Sequence, residues 1–470
     1  MEEVDLCYLS ALELRELYRR RELSPVEVTQ AVLHRIERLN PSLNAFITVT
    51  PELALEQARA AEQAYAKEES PPLLAGIPTS IKDLTPTKGI RTTLGSLLYK
   101  DWIPDFDPPV VQRLYAAGIV MLGKTNTPER GWKGDSGNRL IGPTHNPWKH
   151  GQTSGGSSGG AAAAVATGLG PLAQGSDGAG SIRIPSGFCG IYGFKPSWGL
   201  VPQYPASPLE LLSHIGPMTR TVRDAALMLT VMAGADPHDR LSLPSQIDYL
   251  AELEGEVSIR GLRVAWSPDL GYAPVNPEVR EIAAAAAARF RELGCHVEEA
   301  NPGVPDPWDI VDVMWAAAQA ALHLHDFDQV RDQLDPGRIP IIERGKQLLA
   351  AELASALMRR NDYYHAIRRF MESYDLLLTP TLPVTAFQAG ADHPGEINGH
   401  PTTYLGWTAF TYPFNITGQP AATVPCGFAS DGLPVGLQIV GRWRDDVTVL
   451  KASAAFEALA PWTGQRPPVD

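Results

Sequence analysis

Two glycine- and serine-rich turns around a run of alanines constrain this chain more than any other feature: GQTSGGSSGGAAAAVATGLGPLAQGSDGAGSIRIPS, residues 151–186. Each turn sets serine among glycines, Ser157 with Ser158 in the first and Ser181 in the second. Glycine admits positive φ and lets backbone N–H groups come close to a reacting atom. A serine among such glycines can be held exposed, with amide donors ready for an oxyanion. The second turn runs straight into an arginine, Arg183, in an apolar setting.

Histidine is the commonest general base, yet the sequence offers no convincing histidine site. Gly155, Ser157 and Gly159 spell the G-x-S-x-G of a nucleophile elbow, which would make the chain an α/β-hydrolase-type esterase acting through Ser157. That elbow needs an apolar strand just before the serine, and WKHGQTS (148–154) does not read as one. His323 and His325 alternate in AALHLHDF, a pattern commoner on a helix face or in a core than in a metal site. There is no HExxH and no P-loop, and the glycines at 168–180 do not follow a strand in the dinucleotide pattern. No metal and no cofactor is expected. What remains is a serine activated without histidine. A lysine can serve as base once desolvation leaves it neutral, and Lys82 closes the short apolar strand Thr79–Ile81. A serine placed between the lysine and the nucleophile can relay the proton.

The rest of the chain predicts an α/β fold, helices alternating with buried strands. Ser10 opens a helix over 10–20, and Ser24, Pro25 and Glu27 form a capping box at the head of a helix over 24–40. Residues 52–67, 108–117, 221–233, 278–293, 308–325 and 341–373 read as further helices, and 118–126, 262–269, 375–383, 415–428 and 433–442 as strands. GIYGFKPSWGLVP (190–202) reads as a loop or an edge strand. A net charge of −13, with no basic run denser than Arg19–Arg21, argues against a nucleic-acid surface. Cys7, Cys189, Cys295 and Cys426 lie too far apart for zinc spacing and are expected to be reduced and mostly buried. The acidic start MEEVDLCYLS lacks the marks of a signal peptide, and no apolar run reaches about 18 residues. The expectation is a cytoplasmic protein without a membrane partner.

Several motifs, in order along nearly the whole chain, resemble the amidase signature family of serine hydrolases: GIPTSIKD (76–83), GPTHNPW (142–148), GGSSGG (155–160), GSDGAGSIRIP (175–185), GFKPSWG (193–199), DLLLTPTLP (375–383), NITGQPA (415–421) and DGLPVGLQIVG (431–441). The resemblance implies a large mixed β-sheet with helices on both faces and a single domain over 1–470. Its parts would be N-terminal helices (1–70), a catalytic core (71–235), a variable helical region (250–375) and closing core strands (376–470). It also implies Ser181 as nucleophile, Ser157 after a cis peptide as the middle serine and Lys82 as base. The amides of Gly178, Ala179, Gly180 and Ser181 would form the oxyanion hole, with Asp177 and Arg183 bracing the loop and Ser158 supporting Lys82. One departure is that Ala179 stands where many relatives have glycine.

The implied function is cleavage of a carboxamide C–N bond through an acyl-enzyme. The substrate would be a small aryl or alkyl amide, with a carbamate or ester open to the same chemistry. The rival within the family is the A subunit of the glutamyl-tRNA amidotransferase, whose members carry Met-Asp-Glu-Phe and a serine-rich loop where this chain has TPERGWKGDSGN (127–138). In the family, the loop at 129–139 and the region 250–375 shape the pocket. Trp132, Gly134, Ser136, Trp315 and Trp407 are accordingly the expected pocket residues, with Tyr404, Phe410 and Tyr412 as further aromatic candidates. The 250–375 region is open to two readings, a lid or a homodimer contact.

Overall fold

Lysine 82 ends a strand whose five residues, Pro78–Lys82 (β2), are all buried, because the strand runs through the interior of a large sheet. A computed structural model, which describes residues 2–67 and 70–469, places eleven strands in that sheet. In chain order they are β1 Phe46–Val49, β2, β3 Val120–Thr125, β4 Leu172–Asp177, β5 Tyr192–Lys195, β6 His214–Thr219, β7 Arg263–Trp266, β8 His296–Glu299, β9 Leu376–Pro380, β10 Ala421–Phe428 and β11 Pro434–Gly441. Their spatial order is β1-β3-β2-β4-β6-β5-β10-β11-β9-β7-β8. The sheet is mixed: β2 runs parallel to β3 and β4, while β4–β6, β6–β5 and β10–β11 are antiparallel. Helices surround it, as the α/β reading expects.

The parallel register of β2 and β4 positions the site. Ile81 pairs with Gln174, so both strands finish at the same edge, one at Lys82 and the other at Asp177. Side chains from separate parts of the sequence converge at the carboxyl ends of parallel strands, where open α/β sheets bind ligands.

The alanine run between the two serine turns becomes a short helix, Gly159–Ala166, with all eight residues buried. A helix apolar on every side belongs inside, and small side chains let its neighbours close in. A Cβ on Gly160 would stand 2.3 Å from the Asn126 amide nitrogen. The predicted capping box of Ser24 with Glu27 forms, and Ser10, expected as a cap, forms one too, with Glu13. The second helix runs past the expected end, through Pro41 to Leu43, and stops where Asn44 turns left-handed.

Two expectations change. Tyr192–Lys195 is neither loop nor edge; it lies in the middle of the sheet, paired on both sides. Gly193 makes this possible, since a Cβ there would lie 2.1 Å from Ser186 Oγ. The helix expected over 341–373 is two helices, Ile339–Gln347 and Ala350–Phe370, with the chain extended between them at Leu348 and Leu349. The four cysteines are unpaired, Cys7, Cys189 and Cys295 buried and Cys426 partly so. No helix among the described residues is long and apolar enough to cross a membrane.

Candidate active site

Lys82 is wholly removed from solvent. Its Nζ donates to Ser157 Oγ at 2.7 Å, to Ser176 Oγ at 3.0 Å and to the Ser176 carbonyl at 3.4 Å. Burial disfavours the ammonium form and lowers its pKa to about 7, against the opposing pull of the Asp177 carboxylate. The peptide bond Gly156–Ser157 is cis. Ser158 does not reach Lys82 directly. Its hydroxyl donates to the Ser176 carbonyl at 3.1 Å and accepts from the Ser176 amide at 3.3 Å, so any support passes through Ser176. The same residue ties the two serine turns together, its amide donating to the Ser181 carbonyl at 3.2 Å.

Asp177 and Arg183 hold the second turn from beneath. Arg183 meets the carboxylate with two nitrogens, Nε to Oδ2 and Nη2 to Oδ1, each at 3.0 Å, with both residues fully buried. Burial alone would raise the Asp177 pKa. The Arg183 charge outweighs that and, with a 2.8 Å bond from Asn415, holds the carboxyl well below the usual range. Arg183 also donates to the Thr411 carbonyl and to Gln438 Oε1, which anchors the turn to the far half of the chain.

The carboxylate also takes backbone amides, and this corrects one expectation. The Gly180 N–H donates to Asp177 Oδ1 at 2.6 Å. A donor committed to a buried carboxylate is not free for an oxyanion. Among the described residues the turn therefore offers the amides of Gly178, Ala179 and Ser181, three donors where four are expected. Glycine is required at 180, which has φ 130° and where a Cβ would lie 2.4 Å from Thr411 Oγ1. Ala179 is accommodated, its carbonyl accepting from Thr411 Oγ1 at 2.6 Å.

Ser157, Ser176, Gly178 and Ser181 open onto a cavity of about 260 Å³. Its walls come from the turns after β2 and β3 (Leu84, Leu94, Arg130), the segment 203–209, the entry to β6 (Ser213, Ile215) and the helix Trp308–Ala321.

A family model described as Amidase matches residues 27–450. This chain belongs to the amidase signature family. It is 43% identical to an acylamidase of Rhodococcus erythropolis over 99% of this chain and 98% of that one. It is 39% identical to the A subunit of the glutamyl-tRNA(Gln) amidotransferase of Moorella thermoacetica, over 99% of each. A bacterial aryl acylamidase structure superposes with a TM-score of 0.91 at 34% identity, covering 97% of both chains. The structure of 6-aminohexanoate cyclic dimer hydrolase does so at 0.89 and 30%, covering 98% of this chain and 99% of that one. The protein is thus an amidase, hydrolysing amide C–N bonds.

Of the pocket residues expected for this amidase, only Trp315 lines the cavity, its ring against Gly178. Trp132 is buried behind the wall beside Tyr404, ring centroids 6.4 Å apart. Trp407 stacks on Phe188 at 6.0 Å and meets Phe387 edge-on. Gly134 is there to admit that indole, since a Cβ on it would lie 2.6 Å from the Trp407 ring. Ser136 accepts from the Gly159 amide at 2.8 Å and so caps the alanine helix. Phe410 is core, and the Tyr404 and Tyr412 hydroxyls are taken up by Asp312 and Asp306. These side chains are apolar enough to seek burial, and they found it in packing. The aromatic surface of the cavity comes instead from Trp102, Tyr204 and Trp315. His323 is buried against Asp326 while His325 is exposed, so the two do not face one point. The turn before Ser157 is no strand, so the elbow geometry is absent. The residue that sequence reasoning missed is Ser176, which sits inside the GSDGAGS motif but carries no local mark of its role.

Proposed function

We propose that this amidase acts through Ser181 as nucleophile, Ser157 as proton relay and Lys82 as base. The observation that carries the reading is the buried amine of Lys82, its pKa near 7, at 2.7 Å from the Ser157 hydroxyl. In the neutral amine this contact reverses, and Ser157 donates to the nitrogen lone pair. Ser181 passes its proton to Ser157 as Ser157 passes its own to Lys82, and Ser181 Oγ bonds to the amide carbon. Gly178, Ala179 and Ser181 amides hold the oxyanion. Lys82 then returns the proton through Ser157 to the nitrogen, the C–N bond breaks, and the amine leaves. Water hydrolyses the ester on Ser181. The cycle draws on no metal or organic cofactor.

The substrates are small acyl anilides and alkyl amides. Esters and carbamates present the same carbonyl and leaving group to Ser181. The similarity to an acylamidase supports this class, and the protein acts without nucleic acid or membrane. Purified protein alone is expected to hydrolyse a chromogenic anilide, and Ser181→Ala to abolish it. Activity that appears only with partner chains and tRNA would instead mark the amidotransferase branch of the family.

A further inference from the structure

We propose that the cavity at Ser181 selects amides that carry a carboxylate, and that Arg130 anchors it. The inference rests on the amidase mechanism above.

Among the described residues, Arg130 is the only charged side chain lining the cavity. It is held in place: its guanidinium carbon lies 4.5 Å from the Tyr99 ring centre, and Nη2 donates to the Tyr99 hydroxyl at 2.7 Å. Its Nε is buried with no acceptor, and among the described residues no carboxylate pairs with it. The neighbouring carboxylate, Glu129, is occupied elsewhere. It accepts from Ser96 Oγ at 2.6 Å and from the Asp335 amide at 2.6 Å, and it faces Arg338 at 3.4 Å. Arg130 is therefore a positive group whose charge its surroundings leave unmatched. Guanidinium is donor-only and suits two-point recognition of a carboxylate.

A second donor shares the wall. Gln319 accepts from Arg338 Nε at 2.7 Å through Oε1. Arg338 can only donate, which fixes the amide orientation and leaves Gln319 Nε2 without a protein acceptor among the described residues. Arg130 stands near the reacting centre on stiff backbone. Arg130 has φ 54° and Gly131 φ 71°, and a Cβ on Gly131 would lie 3.0 Å from Ser157 Oγ. The Arg130 amide is tied to the Leu94 carbonyl at 2.8 Å. A non-glycine residue at positive φ marks a place where the surroundings dictate the backbone.

The test compares matched substrate pairs and reads the ratio of kcat/KM, charged over neutral, within each protein. For a carboxylate on the acyl half the pair is glutaryl p-nitroanilide against pentanoyl p-nitroanilide. For one on the leaving amine it is 4-acetamidobenzoate against 4-acetamidobenzamide. The wild type is expected to favour the charged member of one pair, and Arg130→Gln to cut that ratio about 10- to 100-fold, the range of a charge-assisted hydrogen bond. Whichever pair responds places the anchor on that side of the scissile bond. Should Arg130→Gln not fold, Arg130→Lys, which keeps the charge and loses the fork, is expected to lower the ratio about fivefold. No preference for either charged member, or a ratio unmoved by these variants, overturns the anchor. Neutral anilide hydrolysis that survives Ser181→Ala would instead overturn the mechanism beneath it.

Discussion

Lys82 and Lys124 sit on neighbouring parallel strands, β2 and β3, and both are fully buried. Burial lowers both, Lys82 to about 7 and Lys124 to about 8, each against the pull of an aspartate, Asp177 for the first and Asp83 for the second. Their partners differ. Lys124 donates to the Thr85 carbonyl and, at 2.8 Å, to Thr87 Oγ1, whose own proton goes back to that carbonyl. Lys82 donates to Ser157 and Ser176 hydroxyls, and both serines open onto the cavity beside Ser181. A carbonyl can only accept, whereas a hydroxyl can accept and give. Burial makes a neutral amine available in either place, and the acceptor decides whether it can move a proton.

Exchanging each lysine for methionine breaks this comparison most sharply. Lys82→Met is expected to lower kcat/KM for an anilide by about 10³-fold, within the span of general-base contributions. Lys124→Met is expected to change it by less than about threefold while lowering stability in denaturant by about 1–3 kcal/mol, because the Thr85 carbonyl and the Thr87 hydroxyl lose a buried donor and keep only each other. Equal losses of activity would mean that burial alone is what counts.

Acidity gives the next largest effect. In the proposed mechanism the neutral form of Lys82 is the active one, so kcat/KM should rise about tenfold per pH unit up to about 7 and level off above it. Stability has its own sign. The folded pKa lies below the unfolded value, so between about 7 and 10.5 the unfolded chain binds the extra proton and Lys82 burial becomes less destabilising as pH rises. Below about 7 the full penalty of burying the ammonium applies.

Asp177→Asn sharpens the contrast between chemistry and scaffold. It leaves the buried Arg183 without its carboxylate, and a loss of about 3–5 kcal/mol in unfolding free energy is expected. Activity falls as well, since one of the two oxygens that accept from the Gly180 and Ile182 amides and from Arg183 becomes an NH2 that can only donate, and the turn loses its brace. Among the residues around Lys82 the smallest effect is at Ser176. Ser176→Ala removes one of the two hydroxyls on Lys82 and should lower kcat/KM about three- to tenfold, leaving Ser157 in contact.

The readable parts of the sequence are those where the backbone itself is unusual. Ser157 and Ser181 announce themselves through the glycines that their turns need, and Lys82 through the apolar strand that buries it. Capped helices such as Ala11–Arg19 follow from local hydrogen bonding and fall where Ser10 and Glu13 put them. What was not readable depends on distant partners. Gly180 looks like an oxyanion donor until Asp177 is seen to take its amide. Trp132 and Trp407 look like pocket walls, but bulky aromatics bury against whatever the fold supplies, here Tyr404, Phe188 and Phe387. The strand at Tyr192–Lys195 is punctuated by glycine because a helix presses on it, which reads as a turn from the sequence alone. Part of the variable helical region, 250–375, walls the cavity with Trp315, Ala318 and Gln319.

The central claim is that Lys82 is an uncharged amine at working pH. A titration of the enzyme labelled with ¹³C at lysine Cε, followed by NMR and assigned with Lys82→Met, reads it directly. The account predicts a Lys82 resonance with a midpoint near 7 that tracks the pH dependence of anilide hydrolysis. A Lys82 resonance that stays in the ammonium position up to the ordinary lysine value of about 10.4 would contradict it.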